Sequence, residues 1–188
     1  MWSEAPRAEQ VLSTRRHATP THQSTREDQG VRPFGRPARG EMSRKVILLV
    51  EDNPDDELLT MRALRKTGVP NEVVVAHDGA EALDYLFASG PHAGRDPAAV
   101  PQLILLDLKL PKVDGLEVLK RLRSDERTRR LPVVILSSSR EQRDMLDGYG
   151  FGANSYVRKP VNFEQFVTAV ELLRRYWLVL NEDPPGVF

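Results

Sequence analysis

The chain has no cysteine, no net charge and no apolar run long enough to cross a membrane. The absence of cysteine excludes disulfide scaffolds, thiolate metal sites and cysteine nucleophiles, and it fits a reducing cytoplasm. The 27 basic and 27 acidic side chains among 188 residues give no general attraction to nucleic acid or to an anionic membrane. Residues 1–30 also lack the apolar core of a signal peptide. We therefore expect a cytoplasmic protein with no membrane partner and no direct nucleic-acid binding.

The composition changes sharply near Met42. Residues 1–41 are rich in Arg, Pro, Thr, Gln and Ala and have almost no apolar periodicity, which predicts disorder because they would bury too little surface. We therefore predict a disordered extension over 1–43, a folded domain over 44–180 and a flexible tail over 181–188. The extension is either a docking tail or the product of a start codon upstream of Met42.

Strand and helix patterns alternate from residue 45 onward. The predicted strands span 46–50, 72–76, 103–106, 133–136 and 155–157, and the predicted helices span 55–67, 78–88, a stretch from 115, 140–149 and 162–178. The first, third and fourth strands are apolar at every position, which is typical of parallel strands covered by helices on both faces. Five strand–helix repeats predict a doubly wound α/β domain, whose functional site lies beyond the carboxyl ends of the strands.

Polar residues stand at the carboxyl ends of four predicted strands. Glu51 and Asp52 follow the first strand, Asp107 follows the third, Ser137 follows the fourth, and Lys159 comes shortly after the fifth. Parallel strands bring these ends to one rim, so three carboxylates, a hydroxyl and an amine should converge there. Clustered carboxylates repel one another unless a cation joins them, and hard oxygen ligands suit Mg²⁺. The pattern predicts a magnesium site.

The same residue types suit capture of a phosphoryl group. A carboxylate beside Mg²⁺ can attack phosphorus and form an acyl phosphate, while the metal neutralises charge on the phosphoryl oxygens. A lysine and a hydroxyl nearby can bind the remaining oxygens. A hydrolase would need a general base at this rim, and none of the four histidines falls near it. The rim therefore favours phosphoryl transfer over acid–base hydrolysis.

Four stretches carry a family resemblance, and they occur in the expected order along the chain. They are residues 49–53, residues 106–111 with Asp114 and Gly115, residues 135–138 and residues 156–160. Together they resemble the receiver domain of response regulators over about residues 44–178. The resemblance implies a flavodoxin-like, five-stranded parallel sheet with strand order 2-1-3-4-5. It also implies a protein of two-component phosphorelay signalling that is phosphorylated by a histidine kinase and is not otherwise an enzyme.

The resemblance implies a role for each residue of the metal site. Asp107 matches the phosphoacceptor, which is also a metal ligand. Asp52 matches the direct metal ligand, and Glu51 matches the acid that acts mainly through water. The backbone carbonyl of Lys109 matches the third protein ligand of Mg²⁺.

The resemblance also implies a switch. Ser137 matches the hydroxyl that moves to meet the phosphoryl group, and Lys159 matches the amine that pairs with it. Tyr156 matches the aromatic residue that turns inward when the hydroxyl moves. The Lys159–Pro160 bond matches a peptide that is usually cis in this family, which proline makes accessible. Ser139, two residues after Ser137, matches a position that influences the phosphoryl lifetime.

The stretch from Ala88 to Pro101 is longer than in compact receivers. With residues 55–57, 83–87 and 137–139, it resembles the stand-alone regulators that partner bacterial phytochromes. This subgroup implies that the histidine kinase partner is a light-sensing bacteriophytochrome.

The last predicted helix carries two apolar stripes. The first comprises Phe163, Phe166, Val170, Leu173 and Trp177, and the second comprises Ala169, Leu172, Tyr176 and Val179. One stripe suffices to pack a helix on the sheet, so the second predicts a homodimer through this helix. The alternative is a single wide core stripe with Tyr176 half exposed.

Four other functions compete with the switch. A receiver could act as a dimeric docking module without phosphorylation, or as a phosphate sink. A phosphatase resembling haloacid dehalogenases would need a second acid two residues after Asp107, where Lys109 stands. A nucleotide-binding domain would need a glycine-rich loop after the first strand, and the sequence has none there. About ten residues follow Leu178, so we expect no DNA-binding module.

Overall fold

The central strands are buried along most of their length, as their unbroken apolar runs predict. The computed structural model describes residues 45–65, 71–139, 141–159 and 162–182. The strands are β1 (Lys45–Val50), β2 (Asn71–Ala76), β3 (Leu103–Leu106), β4 (Val133–Ser137) and β5 (Ser155–Arg158). They form one parallel sheet in the order β2-β1-β3-β4-β5, so the predicted fold class and strand order are confirmed.

Helices cover both faces of the sheet. They are α1 (Pro54–Arg65), α2 (Gly79–Phe87), α3 (Gly115–Ser124), α4 (Gln142–Gly150) and α5 (Phe163–Arg175), with a short 3₁₀ turn at Gly90–His92. The chain continues from α5 into a π-helical segment, Tyr176–Leu180, which we call the π segment. None of the described helices is both long enough and apolar enough to span a membrane.

Two apolar cores follow from the alternation of side chains along each strand. Leu48 and Val50 of β1 face the first core, which includes the buried residues of α2 and α3. Ile47 and Leu49 face the second core, together with the buried residues of α1 and α5 and with Leu178. Burying one aliphatic side chain contributes roughly 1.5–3 kcal/mol to the free energy of folding. The two cores therefore stabilise the sheet that positions the residues at its rim.

Side-chain caps begin several of the helices at this rim. Asn53 Oδ1 accepts hydrogen bonds from the N–H groups of Asp55 and Asp56 at the start of α1, at 2.9 and 3.3 Å. Asp78 caps α2 and Asp114 caps α3 in the same way. Asn162 caps α5 by accepting hydrogen bonds from the N–H groups of Glu164 and Gln165. The caps satisfy backbone N–H groups that the helices leave without partners.

The structure departs from the sequence pattern in two helices. Leu58 stands at helical spacing from Met61 and Leu64, but it is 49% exposed, and Ala63 is buried instead. The predicted last helix changes to π geometry after Arg175, where the N–H of Asn181 donates to the carbonyl of Tyr176.

The predicted extension over 1–43 and the Lys159–Pro160 bond lie outside the described residues and stay predictions.

The long connection between α2 and β3 is held by one arginine. The guanidinium of Arg95 lies 3.7 Å from the ring centre of Tyr85. It also donates hydrogen bonds to the carbonyls of Tyr85 and Ala99. The connection thus packs on the end of α2, where His92 also contacts the ring of Tyr85 edge to face.

Candidate functional site

Three carboxylates meet at the carboxyl ends of β1 and β3. Glu51 and Asp107 are buried and Asp52 is exposed, and one oxygen from each lies within 4.8 Å of the others. The two strands are neighbours, and the N–H of Asp107 donates to the carbonyl of Val50 at 3.0 Å. The structure therefore brings together the three acids that the sequence pattern predicted. Their hard oxygen donors fit a divalent cation such as Mg²⁺.

Lys159 brings a positive charge into this group. Its Nζ lies 2.6 Å from Glu51 Oε2, 2.6 Å from Asp107 Oδ2 and 2.8 Å from Asp56 Oδ2. The lysine side chain is only 8% exposed. An ammonium has three N–H donors, so each of them can serve one carboxylate.

Asp56 is a member of this cluster that we did not predict from the sequence. It stands four residues after Asp52, in the first turn of α1, and is not at a strand end. The helix turns it back toward the rim, where its carboxylate reaches Lys159. The contact joins residues 103 positions apart, so no local sequence pattern reveals it.

The ionisation of the cluster reflects burial and pairing. Burial raises the pKa of Glu51 to about 7, against the opposing effect of Lys159. Burial alone would lower the pKa of Lys159, but its bonds to Asp107, Asp56 and Glu51 together outweigh burial and raise that pKa. Lys159 is therefore a fixed positive charge at neutral pH. It offsets part of the repulsion between the acids.

Ser137 lies at the end of β4 and is fully buried. Its Oγ accepts a hydrogen bond from the N–H of Ser139 at 3.1 Å, and the hydroxyl of Ser139 donates to Asp144 of α4 at 2.5 Å. The hydroxyl of Tyr156 is buried. Burial raises the pKa of Tyr156, and the nearby Ser137 partly opposes the rise. The serine and tyrosine that the sequence singled out are thus neighbours.

The loop after Asp107 is held close to the acids by its backbone. The N–H of Lys109 donates to Asp107 Oδ1 at 3.2 Å, and the N–H of Gly115 donates to the carbonyl of Leu108 at 2.9 Å. A Cβ atom on Gly115 would lie 2.2 Å from the carbonyl oxygen of Asp107, so only glycine fits there without a shift. On the α2 side, Lys112 Nζ lies 2.5 Å from Asp78 Oδ2. The loop therefore keeps Lys109 beside Asp107.

The arrangement of strands, acids and lysine defines a class of protein. The profile of the response regulator receiver domain family matches residues 47–171. The chain therefore belongs to this family.

Proteins of similar sequence include two named regulators. The chain is 42% identical to the probable methanogenesis regulatory protein FilR2 of Methanothrix harundinacea, over 74% of this chain and 87% of FilR2. It is 35% identical to the response regulator Rcp1 of Synechocystis, over 71% of this chain and 89% of Rcp1. In both cases the match spans most of the relative.

The similar solved structures include regulators named for phytochromes. The phosphorylated cyanobacterial phytochrome response regulator RcpA is 42% identical, with a TM-score of 0.71 over 76% of this chain and 99% of RcpA. The bacteriophytochrome response regulator AtBRR is 52% identical, with a TM-score of 0.60 over 74% of this chain and 99% of AtBRR. Rcp1 has a structure in a Mn²⁺-bound form, at 34% identity and a TM-score of 0.69 over 74% of this chain and 99% of Rcp1.

Proposed function

We propose that this chain is a stand-alone response regulator that accepts a phosphoryl group on Asp107 from a histidine kinase. The observation that carries the proposal is the contact of Lys159 with Asp107, within a group of three acids that fits a divalent cation. A buried lysine and a metal site on one carboxylate suit an aspartyl phosphate. Apart from phosphorylating and dephosphorylating itself, the chain has no enzymatic role in this proposal.

The residues that would hold Mg²⁺ are Glu51, Asp52, Asp107 and the backbone carbonyl of Lys109. When bound, Mg²⁺ neutralises charge on the phosphoryl oxygens during transfer. Glu51 is the most buried of these acids, and its raised pKa reflects the cost of ionising a buried carboxyl group. In this structure the carboxylates of Glu51 and Asp107 both form ion pairs with the Lys159 ammonium.

The transfer step uses one carboxylate oxygen of Asp107 as the nucleophile. That oxygen forms a bond to the phosphorus of the kinase phosphohistidine, and the phosphorus–nitrogen bond breaks as its electron pair returns to the imidazole. Lys159 and the N–H of Lys109, which both contact Asp107 here, are placed to stabilise the phosphoryl oxygens. The product is an acyl phosphate on Asp107 and an unmodified histidine on the kinase.

Ser137 and Tyr156 form the proposed switch. The new phosphoryl dianion attracts the Ser137 hydroxyl, which here accepts a hydrogen bond from the N–H of Ser139. A shift of Ser137 changes the space beside the buried Tyr156 hydroxyl. The shift thereby changes the equilibrium between two conformations of the β4–α4 connection. Ser139 and its bond to Asp144 lie on the same connection.

The proposed kinase is a phytochrome-type light sensor. The support is the similarity to RcpA and AtBRR, which are named as phytochrome and bacteriophytochrome response regulators. The proposed location is the cytoplasm, where such a kinase presents its phosphohistidine. Drainage of phosphoryl groups from that kinase, as a phosphate sink, is the alternative use of the same chemistry.

We further propose a homodimer through the last helix. Leu172, Tyr176, Val179 and Leu180 are 62%, 52%, 57% and 69% exposed, and Ala169 beside them is partly buried. The other predicted stripe includes the buried Phe166 and Val170. An exposed apolar surface of this kind favours contact with a second copy.

The first test is phosphorylation by acetyl phosphate with and without Mg²⁺, followed by intact mass spectrometry. We expect a Mg²⁺-dependent gain of one phosphoryl group in the wild type and no gain in Asp107→Asn. An equal gain in Asp107→Asn would show that another residue accepts the phosphoryl group. No gain with acetyl phosphate or with a phosphorylated bacteriophytochrome would favour the docking module that acts without phosphorylation.

A further inference from the structure

We propose that Asp56 is a positioning residue that holds the Lys159 ammonium against Asp107, an inference that rests on the proposed function of Asp107. All three donors of the ammonium are engaged, one by each of Glu51, Asp107 and Asp56. Asp56 is the partner contributed by a helix, since Glu51 and Asp107 directly follow strands. It therefore fixes the lysine from a third direction in the fold.

The position of Asp56 is set by the first turn of α1. Its N–H donates to Asn53 Oδ1 at 3.3 Å, and its carbonyl accepts a hydrogen bond from the Thr60 hydroxyl at 2.8 Å. Thr60 is fully buried. The carboxylate of Asp56 is 34% exposed, so it reaches the lysine from the edge of the site and not from its interior.

Asp56 differs from the other two partners of Lys159 in what it does during transfer. Glu51 and Asp107 belong to the acidic group that fits a divalent cation, and Asp107 becomes an acyl phosphate. Asp56 is outside that group and keeps its carboxylate throughout. When the other two acids share their charge with a cation, Asp56 is the partner that still retains Lys159 beside Asp107.

Loss of this contact should slow the transfer step. A lysine has a long side chain with many rotamers, and holding it in one of them costs conformational entropy. We expect Asp56→Ala to reduce the rate of phosphorylation by acetyl phosphate about tenfold at saturating Mg²⁺, which is the loss typical of one charge-assisted hydrogen bond. Asp56→Asn keeps an acceptor oxygen and should show a smaller loss.

Asp55 provides a matched control. It lies in the same turn, its N–H also donates to Asn53, and its exposed side chain is not part of the Lys159 cluster. Asp55→Ala therefore makes the same change in net charge and in the helix terminus. We expect its phosphorylation rate to stay within about twofold of the wild type, because surface changes of this kind have small effects.

A double-mutant cycle separates positioning from a merely structural role. If Asp56 acts through Lys159, the effect of Asp56→Ala should fall below about twofold in a Lys159→Ala background. The same tenfold factor in both backgrounds would overturn the proposal.

A second measurement decides the question without phosphorylation. We expect the NMR order parameter of the Lys159 side-chain ε-methylene to fall in Asp56→Ala but not in Asp55→Ala, in the unphosphorylated protein with Mg²⁺. Equal order in the wild type and in Asp56→Ala would sink the proposal, whatever the phosphodonor does. A wild type that gains no phosphoryl group would instead count against the proposed function, and the order parameters would still test the contact.

Discussion

At the scale of single residues, Gly115 has a steric role at the site. A Cβ atom there would lie 2.2 Å from the carbonyl oxygen of Asp107 and 2.7 Å from the Cα of Leu108, and neither backbone atom can move without displacing the site. We predict that Gly115→Ala lowers the free energy of unfolding by about 1–3 kcal/mol, as overpacking does. Urea denaturation measures this change.

Gly94 is the control for this substitution, because no atom lies within 4 Å of a Cβ placed on it. Gly94→Ala should change the free energy of unfolding by less than about 0.5 kcal/mol. If the two variants are equally stable, the loop after Asp107 can shift to accommodate a Cβ atom at Gly115, and the prediction is wrong.

The ion pair between Asp78 and Lys112 predicts a pH dependence. The hydrogen bond from Lys112 lowers the pKa of Asp78, and burial opposes that shift. Because the folded-state pKa is the lower one, the carboxylate stabilises the fold above the unfolded-state pKa of about 3.9, and this stability is lost as the pH falls through the folded-state pKa.

Asp78→Asn should therefore be less stable than the wild type at neutral pH, and the difference should shrink to zero in acid. Asparagine keeps the helix cap, so the substitution removes the charge alone. Urea denaturation from about pH 7 down to about pH 3 measures the difference. Asp114→Asn makes the same change at the cap of α3, outside this ion pair. A difference that persists below the folded-state pKa would contradict the assignment.

At the scale of elements, the strand ends could be predicted from sequence and the finer contacts could not. Unbroken apolar runs identified β1, β3 and β4, and the polar residues that end them identified Glu51, Asp107 and Ser137. These predictions succeed because a parallel strand buried on both faces leaves little choice of residue. The role of Asp56 escaped prediction because it depends on a contact with Lys159, 103 residues further along the chain.

The end of the last helix shows the same limit. The side chain of Lys45 donates to the carbonyl of Leu178 at 2.8 Å, across 133 positions of sequence. The local pattern predicted a regular helix over 162–178, whereas the chain follows π geometry from Tyr176. A contact between the two ends of the domain does not appear in any local window of sequence.

At the scale of the whole molecule, the proposed dimer is testable with two side chains. Tyr176 and Val179 are about half exposed on the last helix. We predict that acidic residues at both positions, in Tyr176→Glu with Val179→Glu, convert the protein to a monomer in analytical ultracentrifugation. The like charges of two copies would repel each other, and burying them against an apolar surface would cost more than the contact gains.

Leu58 on α1 is 49% exposed, so Leu58→Glu is a matched control at another apolar position. It should leave the sedimentation coefficient unchanged. An unchanged coefficient in the double variant would show that the last helix is not the contact surface.

The strand order has a further consequence during synthesis of the chain. Because synthesis runs from the N-terminus, Glu51 and Asp107 are made before Lys159, which follows β5 and stands 52 residues after Asp107. At typical translation rates that separation takes roughly 3–10 s. For that time a nascent chain carries Glu51 and Asp107 without the ammonium that offsets their repulsion in the finished domain.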